Sequence, residues 1–243
     1  MATPIKINCK VFSIDAHSDS VFTIKLKPSR RLPHFKPGQF LHLALDSYDP
    51  TGGYWPESRV FSIASASFDS EITMTYAVKG KFTLRMKEEL ETGKDVWVKL
   101  PYGHFVVSSA PNEEVVLVAG GTGITPFIPF ILNEINNSSG KKIILIYGVR
   151  KPELLIFDDV IAAALANLNG FRLYAFCEER ANSVFQFPVK KGVLTIDAIL
   201  RATTDPEKAV FYLSGPIEMI NIFKNGLSDT NINDTKIHID EWE

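Results

Sequence analysis

Residues 115–119 read Val-Val-Leu-Val-Ala and run directly into Gly120-Gly121-Thr122-Gly123-Ile124-Thr125-Pro126. A strand that is apolar at every position has to be buried on both faces, and a parallel sheet with helices on each side provides that burial. The glycines permit positive φ and close backbone approach. Thr125 is suited to cap a helix that begins at Pro126. The run is far shorter than the roughly 20 apolar residues of a membrane span.

The rest of the second half keeps this rhythm. Residues 143–149, 171–177 and 210–214 are short apolar strands, and 236–240 is a last one. Helical patterns lie at 126–136, 153–168, 194–201 and 217–225. Strands alternating with helices predict an α/β doubly wound parallel sheet. The first ~110 residues instead alternate with period two, at 5–14, 21–26, 38–45, 59–64, 71–78 and 95–100, with one short helix at 82–90. A polar break is expected at 15–20. Many short strands with one helix predict a small antiparallel barrel. Residues 108–114 read as the linker, so two domains are expected, 1–109 and 110–243. A chain of 243 residues has room for both.

Bulk properties exclude several classes of protein. A formal charge of −2 without a long basic run argues against nucleic-acid binding. Met1-Ala2-Thr3-Pro4-Ile5-Lys6 is not a basic start before an apolar stretch, so no secretory signal is read and a cytoplasmic location is expected. Two cysteines, Cys9 and Cys177, make no disulfide framework and cannot ligate an iron–sulfur cluster that takes four.

The glycine turn suits a pyrophosphate, because a helix N-terminus offers unpaired N–H groups and partial positive charge. Two departures from the usual dinucleotide fingerprint stand out. Pro126 occupies the place of the third glycine, and Pro129 removes a donor early in the helix. Ligands of open α/β sheets bind at the carboxyl ends of strands. Three other strand ends share that rim: Tyr147-Gly148-Val149-Arg150, Cys177-Glu178-Glu179-Arg180 and Ser214-Gly215-Pro216. Arg150 is either a phosphate ligand or a solvated surface arginine. Gly215 is either part of a second binding turn or simple punctuation.

In the first half, Arg59-Val60-Phe61-Ser62 puts a cation, a ring and a hydroxyl within four residues. In a regular strand Arg59 and Phe61 share one face, and Val60 can enter the core. Ser62 reaches the same ligand as Arg59 only where the strand ends or twists, or through its backbone. An ordinary strand with a core phenylalanine is the alternative. A second patch is Tyr76-Ala77-Val78-Lys79-Gly80-Lys81-Phe82-Thr83, where a turn opens a helix and offers N–H groups, a hydroxyl and a cation to a pyrophosphate.

Taken in order, and with Leu100-Pro101-Tyr102-Gly103-His104-Phe105 and Tyr212-Leu213-Ser214-Gly215-Pro216-Ile217-Glu218-Met219, these peptides make the chain resemble the ferredoxin–NADP reductase superfamily over essentially its whole length. The resemblance implies a six-stranded flavin-binding barrel, a C-terminal nucleotide domain, no fused iron–sulfur domain, and a flavin ring between the two. It implies that Arg59 contacts the flavin phosphates and that Phe61 stacks on the ring, where the family usually has tyrosine. Ser62 would lie near the flavin N5. Thr83 and the backbone around Lys81 would hold a pyrophosphate, which favours FAD over FMN. Val60, Tyr76, Val78, Gly80 and Phe82 complete the flavin site. Gly121, Thr122, Gly123, Thr125, Arg150 and Gly215 would line the nicotinamide nucleotide. Ser214 stands where many relatives have a cysteine beside the nicotinamide, and Trp242 is either a lid over the flavin or a surface tail residue. NADPH-selective relatives often place serine and arginine where Cys177 and Glu178 stand. Glu178 therefore tips the expectation towards NADH, and Arg180 opposes it. The implied activity is hydride transfer from NAD(P)H to FAD, then electron transfer to a ferredoxin or another external carrier that would hold any cluster. A free-flavin reductase and a non-catalytic flavin-binding subunit of a larger complex are the alternatives.

Overall fold

Alternation of buried and outward side chains makes the strands of the N-terminal half one-sided, and a one-sided sheet has to curl over its own core. The computed structural model describes residues 3–108, 110, 113–179, 185–230 and 232–240. Six strands, β1 (Ile5–Ser18), β2 (Val21–Pro28), β3 (Phe40–Ala44), β4 (Ser58–Ser62), β5 (Ile72–Ala77) and β6 (Asp95–Tyr102), form one antiparallel sheet. Its order is β4-β3-β6-β1-β2-β5. Just past β4, the Ala64 N–H donates to Thr73 O on β5 at 2.7 Å, which brings the two edge strands together and nearly closes a barrel. Ile7, Cys9 and Val11 point into the barrel with Val96, Val98 and Leu100, while Lys6, Asn8 and Lys10 take the outward positions. The expected polar break at 15–20 is mostly strand. β1 continues to Ser18 because its polar residues pair with Val21, Phe22 and Thr23 across a bulge. Helix α1 (Lys81–Glu89) buries Phe82 and Met86, one turn apart, in the same core.

The chain divides into two compact units, Met1–Val106 and Val107–Glu243. In the second, β7 (Glu114–Gly120), β8 (Lys142–Val149), β9 (Phe171–Cys177), β10 (Val189–Lys191), β11 (Val210–Ser214) and β12 (Ile237–Ile239) are all parallel, in the order β10-β9-β8-β7-β11-β12. Four helices accompany them: α2 (Ile128–Asn136), α3 (Asp158–Asn167), α4 (Ile196–Ala202) and α5 (Ile217–Ser228). Val116, Val118, Ile144, Ile146, Phe211 and Leu213 pack with α4 and α5 on one face. Val115, Leu117, Ile143 and Leu145, of the opposite parity, are equally buried, which is why β7 carries no polar residue after Glu114. Among the described residues, no helix is long and apolar enough to cross a membrane.

Two departures from the sequence reading have local causes. β10 has only three residues, two of them exposed lysines, so no apolar pattern marks it. Helix α3 starts at Asp158 rather than near 153, because residues 152–154 form a separate 3-10 turn and Phe157 sits at φ 60°. The hydroxyl of fully buried Tyr147 donates to Leu154 O at 2.9 Å and holds that turn.

At the amino end of β7 the buried Glu114 carboxylate accepts from the Arg172 guanidinium at 2.7 Å, from Thr204 N at 2.7 Å and from Thr204 Oγ1 at 2.8 Å. It ties β9 and the segment after α4 to the central strand. Glu114→Ala should cost about 1–3 kcal/mol, because Arg172 and Thr204 lose a charged acceptor that ties their segments to β7. A lower urea midpoint at unchanged m-value would register it; an unchanged midpoint would show that Glu114 contributes nothing.

Candidate functional site

The order of the parallel sheet reverses at β7: β8 to β10 lie on one side, β11 and β12 on the other. Such a reversal opens a crevice at the carboxyl ends of the two strands that flank it. Here those ends carry Gly120–Pro126 after β7 and Ser214–Pro216 after β11.

The two turns touch. A Cβ on Gly123 would lie 2.3 Å from Ser214 O and 2.6 Å from Gly215 Cα. One on Gly120 would lie 2.6 Å from Met219 Sδ and 2.9 Å from Pro216 Cδ. A Cβ on Gly215, at φ +155°, would lie 2.6 Å from Met219 Cε and 3.0 Å from Gly120 N. Gly123 and Gly215 thus let two backbones approach, while Gly120 makes room for the side chains of Met219 and Pro216. Gly121 differs: it has φ +54°, and nothing lies within 4 Å of where its Cβ would be. Its outer side is open.

The expected cap at Thr125 is corrected. Residues Gly121–Phe127 form a 3-10 helix, and α2 begins only at Ile128. Thr125 is buried, and its hydroxyl donates to Thr122 O at 2.7 Å, so it shapes the turn from inside. Pro129 consequently falls in the first turn of α2, where a backbone N–H has no helical partner, and it breaks nothing. Gly121, Thr122 and Gly123 remain partly exposed at the rim.

Ser214 is 1% exposed, and its hydroxyl donates to Asp240 Oδ2 at 2.9 Å. The Asp240 N–H in turn donates to Leu213 O at 2.9 Å. Sequence reading singled out Ser214 without its partner. The parallel pairing Leu213↔Ile239 sets residue 240 beside residue 214, and that register is the signal that would have found it. Trp242 and Arg180 lie outside the described residues. Arg150 is exposed at the end of β8, and its carbonyl accepts from Glu179 N at 3.0 Å. Burial pushes the Cys177 thiol pKa up, and the charges of Glu179, Glu153 and Glu178 push the same way. The end of β9 is therefore an acidic stretch of rim.

In the barrel unit the parity of Arg59 and Phe61 is as expected, but their surroundings are not. The exposed Arg59 donates to Glu57 Oε1 at 2.9 Å and to Ser58 O at 2.8 Å, with its Cζ 5.2 Å from the centre of the Phe82 ring. Phe61 is only 9% exposed and packs edge-on against Tyr76, ring centres 6.4 Å apart. It belongs to the buried cluster of the barrel. Val60, expected to enter the core, is half-buried on the opposite face across from His42. Burial pushes the Tyr76 hydroxyl pKa up to about 12. Ser62 is buried at the last position of β4.

The Thr83 hydroxyl is bonded within its own helix start. It accepts from Lys79 N at 2.9 Å and Gly80 N at 3.1 Å and donates to Gly80 O at 3.1 Å, so it is spent on closing the helix start. Val78 hydrogen-bonds through its N–H to Ser20 O at 2.7 Å. The first α-helical bond is Leu84 N to Gly80 O, which leaves the N–H groups of Lys81, Phe82 and Thr83 without helical partners. Space is open beside Gly80, and Arg59 reaches over Phe82 at the same helix end.

One group was missed entirely. Ser65, 2% exposed, has the only buried side-chain polar atom among the described residues that lacks a hydrogen-bond partner. A serine inside the otherwise apolar stretch Ile63-Ala64-Ser65-Ala66 was its signal. An orphaned buried hydroxyl, a helix start with unpaired N–H groups and a neighbouring arginine fit a phosphorylated, hydrogen-bonding cofactor.

Comparisons with known proteins agree. Residues 6–144 match the FAD-binding domain family and 117–225 the oxidoreductase NAD-binding domain. The chain is 33% identical over 172 residues to the NAD(P)H-flavin reductase of Aliivibrio fischeri, covering 68% of this chain and 69% of that protein. It is 27% identical over 223 residues to the reductase component of propane 2-monooxygenase from Mycolicibacterium smegmatis, covering 88% of this chain and 61% of that protein. The chain thus spans about three-fifths of such reductase components. Among solved structures, the Amycolatopsis cytochrome P450 reductase GcoB superposes with a TM-score of 0.83 at 19% identity, over 98% of this chain and 70% of that one. The ferredoxin NADP+ reductase of Neisseria gonorrhoeae with bound FAD and NADP gives 0.75 at 22% identity, over 98% of both chains. The chain belongs to the FAD-binding domain family of the ferredoxin–NADP reductase superfamily.

The glycines predict different costs. Gly123→Ala forces a methyl into the opposing backbone and should lose about 3 kcal/mol. Gly121→Ala meets open space and only the positive-φ penalty, about 1 kcal/mol. Urea unfolding of the two variants separates them, and equal losses would refute the contact between the turns.

Proposed function

We propose that this chain is an FAD-dependent oxidoreductase that draws on NAD(P)H and passes electrons to an external acceptor protein, with residues 1–109 holding the flavin and 110–243 the nicotinamide nucleotide. The observation that carries this reading is the switch-point crevice, where Gly121 stands open on the same turn whose Gly123 packs against the buried Ser214. A bound flavin would supply the hydride-accepting and one-electron redox chemistry. The chain's own residues bind and orient. Arg59 and the unpaired N–H groups at the start of α1 neutralise the diphosphate. Ser62, with its backbone at the end of β4, faces the reactive edge of the ring. Gly121 and Thr122 admit the nucleotide backbone closely, and Arg150 meets its phosphates. Ser214, donating to Asp240, keeps its oxygen free to accept from the carboxamide of the nicotinamide. Orientation of this kind is worth up to roughly 7–11 kcal/mol of barrier.

NADH is the preferred coenzyme in this reading. Glu178, with Glu179 and Glu153 nearby, opposes a 2′-phosphate, and a carboxylate accepts from a 2′-hydroxyl. The monooxygenase reductase relatives support a protein acceptor, and a ferredoxin-like carrier is the proposed partner. Likeness to the Aliivibrio fischeri flavin reductase favours a second reading, in which flavin is a diffusing substrate. Flavin retained through gel filtration supports the first reading, and colourless protein the second.

Anaerobic mixing of the FAD-loaded protein with NADH should bleach the flavin absorbance, with NADPH much slower. Bleaching by neither coenzyme would overturn the proposal. Glu178→Gln should raise kcat/KM for NADPH about tenfold, equivalent to about 1.4 kcal/mol, with the NADH value nearly unchanged. An unaltered ratio would remove Glu178 from coenzyme selection.

A further inference from the structure

The outward face of the barrel carries a groove that none of the proposed flavin or nucleotide contacts uses. Its volume is about 510 Å³. Lys6 of β1, Arg30 just past β2 and Trp97 of β6 line it, together with Tyr48 from the loop between β3 and β4 and the two prolines Pro4 and Pro50. Lys6 and Trp97 occupy outward positions on their strands, flanked by the core residues Ile5, Ile7, Val96 and Val98. No lining residue belongs to Arg59–Ser62 or to the start of α1.

Two features make the groove more than a surface irregularity. The first is uncompensated charge. Neither Lys6 nor Arg30 has an ion-pair partner among the described residues, and no carboxylate lines the groove. In a chain of net charge −2, two such cations converging on one place form a local positive site. The second is ring surface. Tyr48 packs edge-on to Trp97 with centres 5.2 Å apart and tilted against Trp55 at 5.4 Å. Lys6 Nζ lies 4.3 Å from the Tyr48 ring centre and donates to its hydroxyl at 2.7 Å. That hydroxyl accepts from an ammonium and keeps its own proton to donate outward. Arg30 donates one N–H to Lys6 O at 2.6 Å, which leaves most of its guanidinium donors for a ligand.

We propose that this groove binds a small flat aromatic anion of mononucleotide size, with the ring against Trp97 and Tyr48 and the phosphate or carboxylate on Arg30, Lys6 and the Tyr48 hydroxyl. Its volume falls within the roughly 300–1,000 Å³ of small-molecule sites. Rings stack on aromatic faces, and guanidinium groups bind carboxylate and phosphate in a bidentate fork.

The test follows the indole ¹H–¹⁵N resonance of Trp97, assigned with Trp97→Phe, in FAD-saturated protein titrated with AMP, adenosine and inorganic phosphate. AMP should shift the resonance saturably, with adenosine and phosphate each at least tenfold weaker. Arg30→Gln should weaken AMP about tenfold at an unchanged melting temperature. AMP occupying the nicotinamide nucleotide position instead would leave Trp97 unmoved and overturn the proposal. So would equal binding of adenosine, which removes the charge requirement, or equal binding of phosphate, which removes the ring. An undiminished response in Arg30→Gln would also overturn it.

Discussion

Two backbone turns at the carboxyl ends of β7 and β11 approach so closely that a side chain at Gly123 or Gly215 would run into the opposing backbone. Much of the second unit's chemistry depends on that approach. It covers the Ser214 backbone, whose hydroxyl the register of β12 sets beside Asp240, and leaves the side of Gly121 open. It also explains why Pro126 can stand where the usual fingerprint has glycine. That third glycine serves close packing of helix on strand. In this chain the close packing runs from turn to turn, and its glycine on the far side is Gly215. The intervening 3-10 turn, braced by Thr125 on Thr122 O, delays α2 until Ile128.

The barrel unit meets a different requirement, a helix start that has to hold together while leaving donors unpaired. Thr83 solves the first part by bonding back to Lys79 and Gly80. Burial of Phe82 and Met86 anchors the helix on the core. Arg85 adds a fork to Asp46 and Glu89, but both pairs lie in solvent and contribute little beside the apolar anchor. The N–H groups of residues 81–83 stay available because the stabilising contacts come from elsewhere. A hydroxyl that caps a helix is therefore a poor candidate for a direct phosphate ligand, although sequence spacing alone gives Thr83 either role.

What the sequence discloses here follows the range of the interaction involved. The barrel, the parallel sheet and the glycine turn depend on side-chain period and local turn chemistry, and those were legible. The core role of Phe61 was not decided, because period-two alternation gives parity without saying which face turns inward. Val60 and Phe61 exchanged their expected environments for that reason. β10 escaped notice because an edge strand of exposed lysines has no apolar signature. The delayed start of α3 depends on Tyr147 reaching Leu154 O, a contact between elements. Asp240 and Ser65 became visible only with the fold: one through the register of β12 on β11, the other because burial left its hydroxyl alone.

Charge placement is the last constraint, and it runs against the bulk composition. The chain is slightly acidic overall, yet Arg59 stands at the helix start in the barrel and Arg150 at the end of β8. The carboxylates of Glu153, Glu178 and Glu179 gather one strand further along the rim, around Cys177. A dinucleotide laid across the carboxyl edge from β7 towards β9 carries its diphosphate near the glycine turn and its adenosine ribose further out. The proposed nucleotide reading would set the diphosphate towards Arg150 and the ribose towards the acids. A 2′-phosphate would add charge where this chain has concentrated its own. In the proposed reading, coenzyme choice comes from a field set by Glu178 and Glu179 after β9 and Glu153 after β8, and no single hydrogen bond has to carry it.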